Sequence, residues 1–292
     1  MTGDLIELKN NYELQITNEG LTLKQYSEIA GEIMGTFILV FFGCGAVAVS
    51  VLFSPNIGLF QVAAVWGGGL TIAIYSTRHL SGAHFNPAVS LAMVLSKRLP
   101  LSELPVYVAA QFIGAFLAAA VLYMLFSTAI AEYESINSIV RGSPESVSTA
   151  MMFGEFYPNP GAGLNFQISA AGAFIAEAVG TFLLAFFIFI LTAESNEGRP
   201  ASILTPLFIG LTLAILICII APLTQAGFNP ARDLSPRIFA YLAGWGNAAM
   251  PDRHYGFITV YVLGPLAGGI VASVVFTGVV EPLMKKIQKE IN

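Results

Sequence analysis

Six apolar stretches divide the chain, at about residues 29–52, 57–77, 106–130, 168–192, 203–220 and 258–280. Each is close to the ~20 residues that a helix needs to cross a bilayer. Polar breaks separate them. Ser54-Pro55-Asn56 has the chemistry of a tight turn, Arg78-His79-Leu80-Ser81-Gly82 ends the second stretch, and Pro222 is expected to end the fifth. Two further apolar runs are too short to cross, and they open on Asn86-Pro87-Ala88 and Asn229-Pro230-Ala231. Asn is a preferred helix cap, and Pro suits a first turn because its missing N–H would have no partner there. Short helices are therefore predicted over 86–96 and 229–241. Lys97-Arg98 closes the first, where cations favour the helix dipole. The pattern predicts an all-α membrane protein of six transmembrane helices plus two re-entrant half-helices.

The halves repeat. Glu32-Ile33-Met34-Gly35-Thr36-Phe37 returns as Glu177-Ala178-Val179-Gly180-Thr181-Phe182, a shift of 145 positions (32 to 177). The Asn-Pro-Ala pair shifts by 143 (86 to 229). Three spans and one short helix per half force opposite orientations, so the repeat is inverted. Residues 28–130 form the first repeat and 168–282 the second. Polar tails cover 1–27 and 283–292, and a long loop covers 131–167.

The geometry follows from that order. The half-helices enter from opposite sides, and residues 79–85 and 221–228 cross part of the bilayer without helical hydrogen bonds. Such backbone survives at depth only against protein or a watery cavity. The two half-helix N-termini should therefore meet near the midplane, beside a pore. Glu32 and Glu177 lie deep in spans, where an acid seldom faces lipid. Matched copies favour a carboxylate that fixes the N–H groups of a re-entrant segment over a proton relay. Gly35, Gly180, Gly114, Gly264 and Gly268 read as helix-contact positions.

Composition narrows the class further. The chain is 55% hydrophobic and 11% charged, against ~25% charged in a soluble domain. There is no basic patch with interleaved aromatics, hence no case for nucleic acid. Cys44 and Cys218 lack ligand-spaced partners and read as packed thiols. His79, His84 and His254 are scattered, so no metal cluster, cofactor or catalytic constellation is expected. The first residues are polar, and no cleaved leader is expected. Lys97, Arg98, Arg199 and the lysines of the C-terminal tail mark their side as cytoplasmic, with both termini there and the acidic 131–167 loop outside. A plasma or inner membrane is the expected location.

Ser81-Gly82-Ala83-His84-Phe85-Asn86-Pro87-Ala88-Val89, the second Asn-Pro-Ala and the duplicated Glu-x-x-Gly-Thr-Phe resemble the major intrinsic proteins, the aquaporins and glycerol facilitators. The resemblance covers about 28–282. It implies one pore per protomer, a homotetramer, and small neutral solutes such as glycerol and water as the cargo. Asp233 after Arg232, Arg237, and 242–249 resemble the glycerol-conducting branch. Counting from the motifs, the resemblance places the narrowest point at Trp66, Ile217, Ala226 and Arg232. That quartet departs from both the water-specific and the usual glycerol pattern. It looks more like the nodulin-type branch, some of whose members pass ammonia or uncharged metalloid acids.

Within that scheme Asn86 and Asn229 are expected to cap the half-helices through their side-chain carbonyls and turn their NH2 groups into the lumen. Arg232 would offer N–H donors and repel cations, with Trp66 laying an apolar face opposite it. The alternatives are a salt-bridged structural arginine and a lipid-facing tryptophan. His84 is expected to be a loop hydrogen-bonding group, and Asp233 to pair with Arg237 at i,i+4. A water or metalloid-acid channel, or an ion-coupled transporter built on the same inverted repeat, are the competing readings. An intramembrane enzyme lacks its residues.

Overall fold

In the computed structural model, residues 3–53, 57–162, 167–250 and 255–291 are described, with side chains described from Leu23 to Glu290. The expected turn at Ser54-Pro55-Asn56, the side chains of residues 1–22 in the polar N-terminal tail, and His254 lie outside this set. Eight main helices build the fold among the described residues: α1 (Gly3–Leu52), α2 (Leu59–Thr77), α3 (Pro87–Leu95), α4 (Leu104–Ile136), α5 (Ala170–Thr192), α6 (Thr205–Thr224), α7 (Pro230–Ala240) and α8 (Gly264–Val275). The α8 helix lies within a helical run from Gly256 to Glu290 that is irregular at 259–263 and 276–280, where the turns widen. Six helices are long and apolar enough to cross a membrane. Their outward side chains are bare hydrocarbon, among them Met34, Phe60, Ile72, Met124, Leu125, Ile215, Ile219 and Val274. Such a surface is stable only in lipid.

The packing follows the duplication. Helix α1 lies on α4 as α5 lies on α8; α1 touches α2 as α5 touches α6, and α2 against α6 joins the halves. That central crossing is tight because Gly67 and Gly210 face each other, and a Cβ on either would overlap the other's carbonyl. Gly114 approaches the Ile33 carbonyl and Gly268 the Ala178 carbonyl in the same way. Gly35 and Gly180 differ from expectation. Each makes room not for a helix but for a re-entrant phenylalanine ring, Phe85 and Phe228 respectively. Gly180→Val is expected to push the Phe228 ring out of place, with overpacking costing ~1–3 kcal/mol; thermal unfolding in detergent measures it.

Several boundaries moved. Helix α1 continues N-terminally to Gly3, with no proline before the span to stop it, and the C-terminal tail is helical although Pro282 stands at its junction with the last span. Helix α4 runs on to Ile136, so the first residues of the predicted loop are helical. Pro222 does not end its helix. It sits two residues before the helix ends at Thr224, and Gln225, left-handed at φ 59°, donates its N–H to the Ala221 carbonyl at 2.9 Å to close the turn.

Candidate pore and selectivity site

Both Asn-Pro-Ala runs fold as their chemistry dictates. The Asn86 carbonyl Oδ1 accepts from the Ala88 N–H at 2.9 Å. Asn229 Oδ1 accepts from Ala231 and Arg232 at 3.0 and 3.2 Å. The NH2 groups do more than face a lumen. Asn86 Nδ2 donates to the Phe228 carbonyl at 2.8 Å, and Asn229 Nδ2 donates to the Phe85 carbonyl at 2.7 Å. Each cap thus holds the other half's re-entrant segment, and the two half-helix N-termini are stitched together. One hydrogen of each NH2 remains beyond these bonds.

The two segments leading into the caps are strained. Ala83, Phe85, Gln225, Ala226 and Phe228 all have φ between 52° and 63°, a region that non-glycine residues enter at a cost of about 1–2 kcal/mol each. The buried acids hold them there. Glu32 accepts from Ser81 Oγ (2.8 Å), the His84 N–H (3.0 Å), the Phe85 N–H (2.8 Å) and Gln111 Nε2 (2.8 Å). Glu177 accepts from Thr224 Oγ1 (2.6 Å), the Gly227 N–H (3.0 Å) and the Phe228 N–H (2.7 Å). His84 bonds Ser90 Oγ through Nδ1 at 3.1 Å and leans on Tyr107, as a loop-supporting group should.

A cavity of about 970 Å³ runs past both caps. Trp66, Ile217, Ala226 and Arg232 line it, together with Asn86, Asn229, His84 and the segments 81–84 and 226–228. Arg78, Glu194, Asn196, Glu197 and Arg199 line it as well. The structure therefore brings all six pore residues named from sequence onto one hollow. The arrangement of two departs from expectation: Trp66 does not stand across from Arg232. The guanidinium carbon lies 4.1 Å from the Trp66 ring centre, stacked on it. A cation is drawn to an aromatic face, so the pair forms one wall of the cavity. Trp66 backs onto Gly43, where any Cβ would overlap its ring.

Glu155 is the residue that sequence reasoning missed. It lies in the 131–167 loop, yet it is buried and ion-paired with Arg232. Arg232 is thus both salt-bridged and cavity-facing, two readings that the sequence had set against each other. The loop is fastened at many points. The Glu155 N–H donates to Asp233 Oδ1 at 2.7 Å, and Arg237 Nη2 donates to the Glu155 carbonyl at 2.6 Å. The Phe156 N–H donates to Gln225 Oε1, and Asn159 Nδ2 to the Ala221 carbonyl, both at 2.8 Å. Asp233 and Arg237 form the expected i,i+4 pair at 2.6 Å. Burial pushes the Glu155 carboxyl up to about 8 against the downward pull of Arg232. The one signal available in sequence was an acid close to the loop's Pro-Asn-Pro-Gly segment, too little to place it.

Paired half-helices capped head to head beside a shared hollow, among six helices long and apolar enough to cross a membrane, define a channel-type membrane protein. The comparisons agree with that class. Residues 19–276 match the model of the major intrinsic protein family, and the chain belongs to that family. It is 39% identical over 254 residues to a glycerol uptake facilitator protein of Pseudomonas aeruginosa, covering 87% of this chain and 88% of the relative. It is 36% identical over 251 residues to the propanediol uptake facilitator PduF of Salmonella typhimurium, covering 86% and 92%. Among solved structures, it superimposes on the aquaglyceroporin from Plasmodium falciparum with a TM-score of 0.77 at 26% identity, covering 89% of this chain and 99% of that one.

Proposed function

We propose that the protein is a passive channel for glycerol and water that excludes protons and ions. The observation that carries this reading is the single cavity shared by both Asn caps and the Trp66, Ile217, Ala226 and Arg232 quartet. The likeness to glycerol and propanediol facilitators supports a small polyol as cargo. A polyol carries hydroxyls along one side and C–H along the other. Arg232 and the spare Asn hydrogens supply donors, and Trp66, Ile217 and Ala226 supply apolar contact. Two half-helix N-termini converge, each worth roughly half a positive charge, and that field opposes cations without a moving part. No step in this account is catalytic, and no cofactor enters it.

The expected assembly is a homotetramer in the plasma or inner membrane, with both termini cytoplasmic and the 131–167 loop outside. Stopped-flow shrinkage and reswelling of reconstituted vesicles tests the reading. Glycerol should equilibrate passively down its gradient. Accumulation that collapses with an ion gradient would instead reveal a coupled transporter. Trp66→Ala is expected to flatten discrimination along a polyol series, since it removes the apolar wall and the seat of the guanidinium. An unchanged series would reduce Trp66 to packing.

A further inference from the structure

Helix α9 (Glu281–Ile291) follows the last span without a break. The run Gly256–Glu290 has 35 residues, about 52 Å of helix at 1.5 Å per residue. A bilayer is ~40–45 Å thick with its headgroups and ~30 Å across its hydrocarbon. The helix therefore outlasts the hydrocarbon, and its final turns reach the headgroup layer. Its root is fixed. Arg98, just beyond half-helix α3, reaches Glu281 at 3.9 Å and sits over the Phe189 and Phe276 rings at 5.0 and 5.2 Å.

The faces of α9 are unlike. Leu283 and Ile287, one turn apart, are 56% and 55% exposed. Lys285 and Lys289 stack one turn apart on the far side, with Lys286 beside them. Glu281 is shared between Arg98 and Lys285, the latter at 3.2 Å. Among the described residues no carboxylate lies within ion-pair distance of Lys286 or Lys289. An apolar stripe together with two cations, Lys286 and Lys289, that no carboxylate among the described residues neutralises complements one kind of surface, an anionic bilayer.

We propose that α9 docks on the anionic phospholipid headgroups of the leaflet at which the last span ends. Leu283 and Ile287 lie against the acyl boundary, and Lys285, Lys286 and Lys289 meet lipid phosphates. The test uses the full chain in nanodiscs of phosphatidylcholine alone and of phosphatidylcholine with phosphatidylglycerol. Amide hydrogen exchange is read over 281–291. Each lysine near an anionic surface is worth roughly five-fold, so exchange should slow at least ten-fold with phosphatidylglycerol. That protection should vanish in ~1 M salt, where the Debye length is about 3 Å, and in the K285Q/K286Q/K289Q variant. Equal exchange in the two lipids overturns the proposal. So does protection that survives the triple variant, which would point to contact with a second copy. Protection produced by inorganic phosphate in phosphatidylcholine discs also overturns it, since the site would then serve a free anion. Glycerol flux through the same preparations reports folding independently of where α9 lies.

Discussion

Arg232→Ala is expected to open the channel to larger polyols and small cations while lowering its stability. Two charges are at stake. The guanidinium is buried, stacked on Trp66 and ion-paired with Glu155. Removing it leaves a buried acid without its partner, which costs ~3–5 kcal/mol wherever that acid is ionised. It also removes the positive charge that faces the cavity and, above the pH at which Glu155 ionises, leaves a negative one. A unit charge acting over 4 Å at an effective dielectric near 20 is worth about 4 kcal/mol, so cation passage should rise by as much as ~10³-fold. The double variant Arg232→Ala with Glu155→Gln separates the two effects. It should regain part of the lost stability and admit fewer cations than the single variant, while still passing larger polyols. Thermal unfolding and dye-reported cation leak in vesicles measure both. Unchanged selectivity in either variant would remove Arg232 from the filter. Protonation of Glu155 as pH falls through about 8 cancels the charge that offsets Arg232. The glycerol-to-water flux ratio should therefore vary with pH across that region in the parent and be flat in Glu155→Gln.

The contrast between Arg232 and Glu155 shows what a sequence displays. The Asn86 and Asn229 caps obey a local rule: an Asn–Pro start and the N–H groups of the next residues suffice to place the side-chain carbonyl. The duplicated Glu-x-x-Gly-Thr-Phe announces a second local fact, since the acid and the glycine one turn later lie on one helix face. Glu155 obeys no local rule. Its position results from a loop tied down by Asp233, Arg237, Gln225 and the Ala221 carbonyl, through bonds that span 62 to 82 residues of chain. None of those bonds leaves a periodic trace. The same holds for Gly35 and Gly180. Their smallness was visible, but the rings that occupy the space arrive from segments whose left-handed residues carry no glycine signature. Pro222 misled for a related reason. One proline near a helix end removes a single donor, and a left-handed Gln225 is enough to finish the turn.

Glu32→Gln and Glu177→Gln are expected to damage the fold almost as badly as the alanine variants, an outcome that a proton relay does not anticipate. Every recorded partner of these two carboxylates is a donor: backbone N–H groups, the Ser81 and Thr224 hydroxyls, and the Gln111 amide. An ionised carboxylate is an acceptor on both oxygens. A glutamine keeps one acceptor and turns an NH2 toward the donors that had faced the other. The His84 and Phe85 N–H groups bond opposite oxygens of Glu32, and the Gly227 and Phe228 N–H groups opposite oxygens of Glu177, so one of each pair must lose its partner whichever way the amide lies. A buried donor left unsatisfied costs ~1–3 kcal/mol, and the displaced segment also carries left-handed residues that lose part of what restrains them. With a total stability of ~5–15 kcal/mol, loss at one acid should appear as a lowered melting temperature together with reduced glycerol flux. Alanine at position 32 should be the most severe, since it orphans four donors. If Glu32→Gln and Glu177→Gln instead melt like the parent and change only proton leakage, the acids serve proton movement and not the re-entrant backbone.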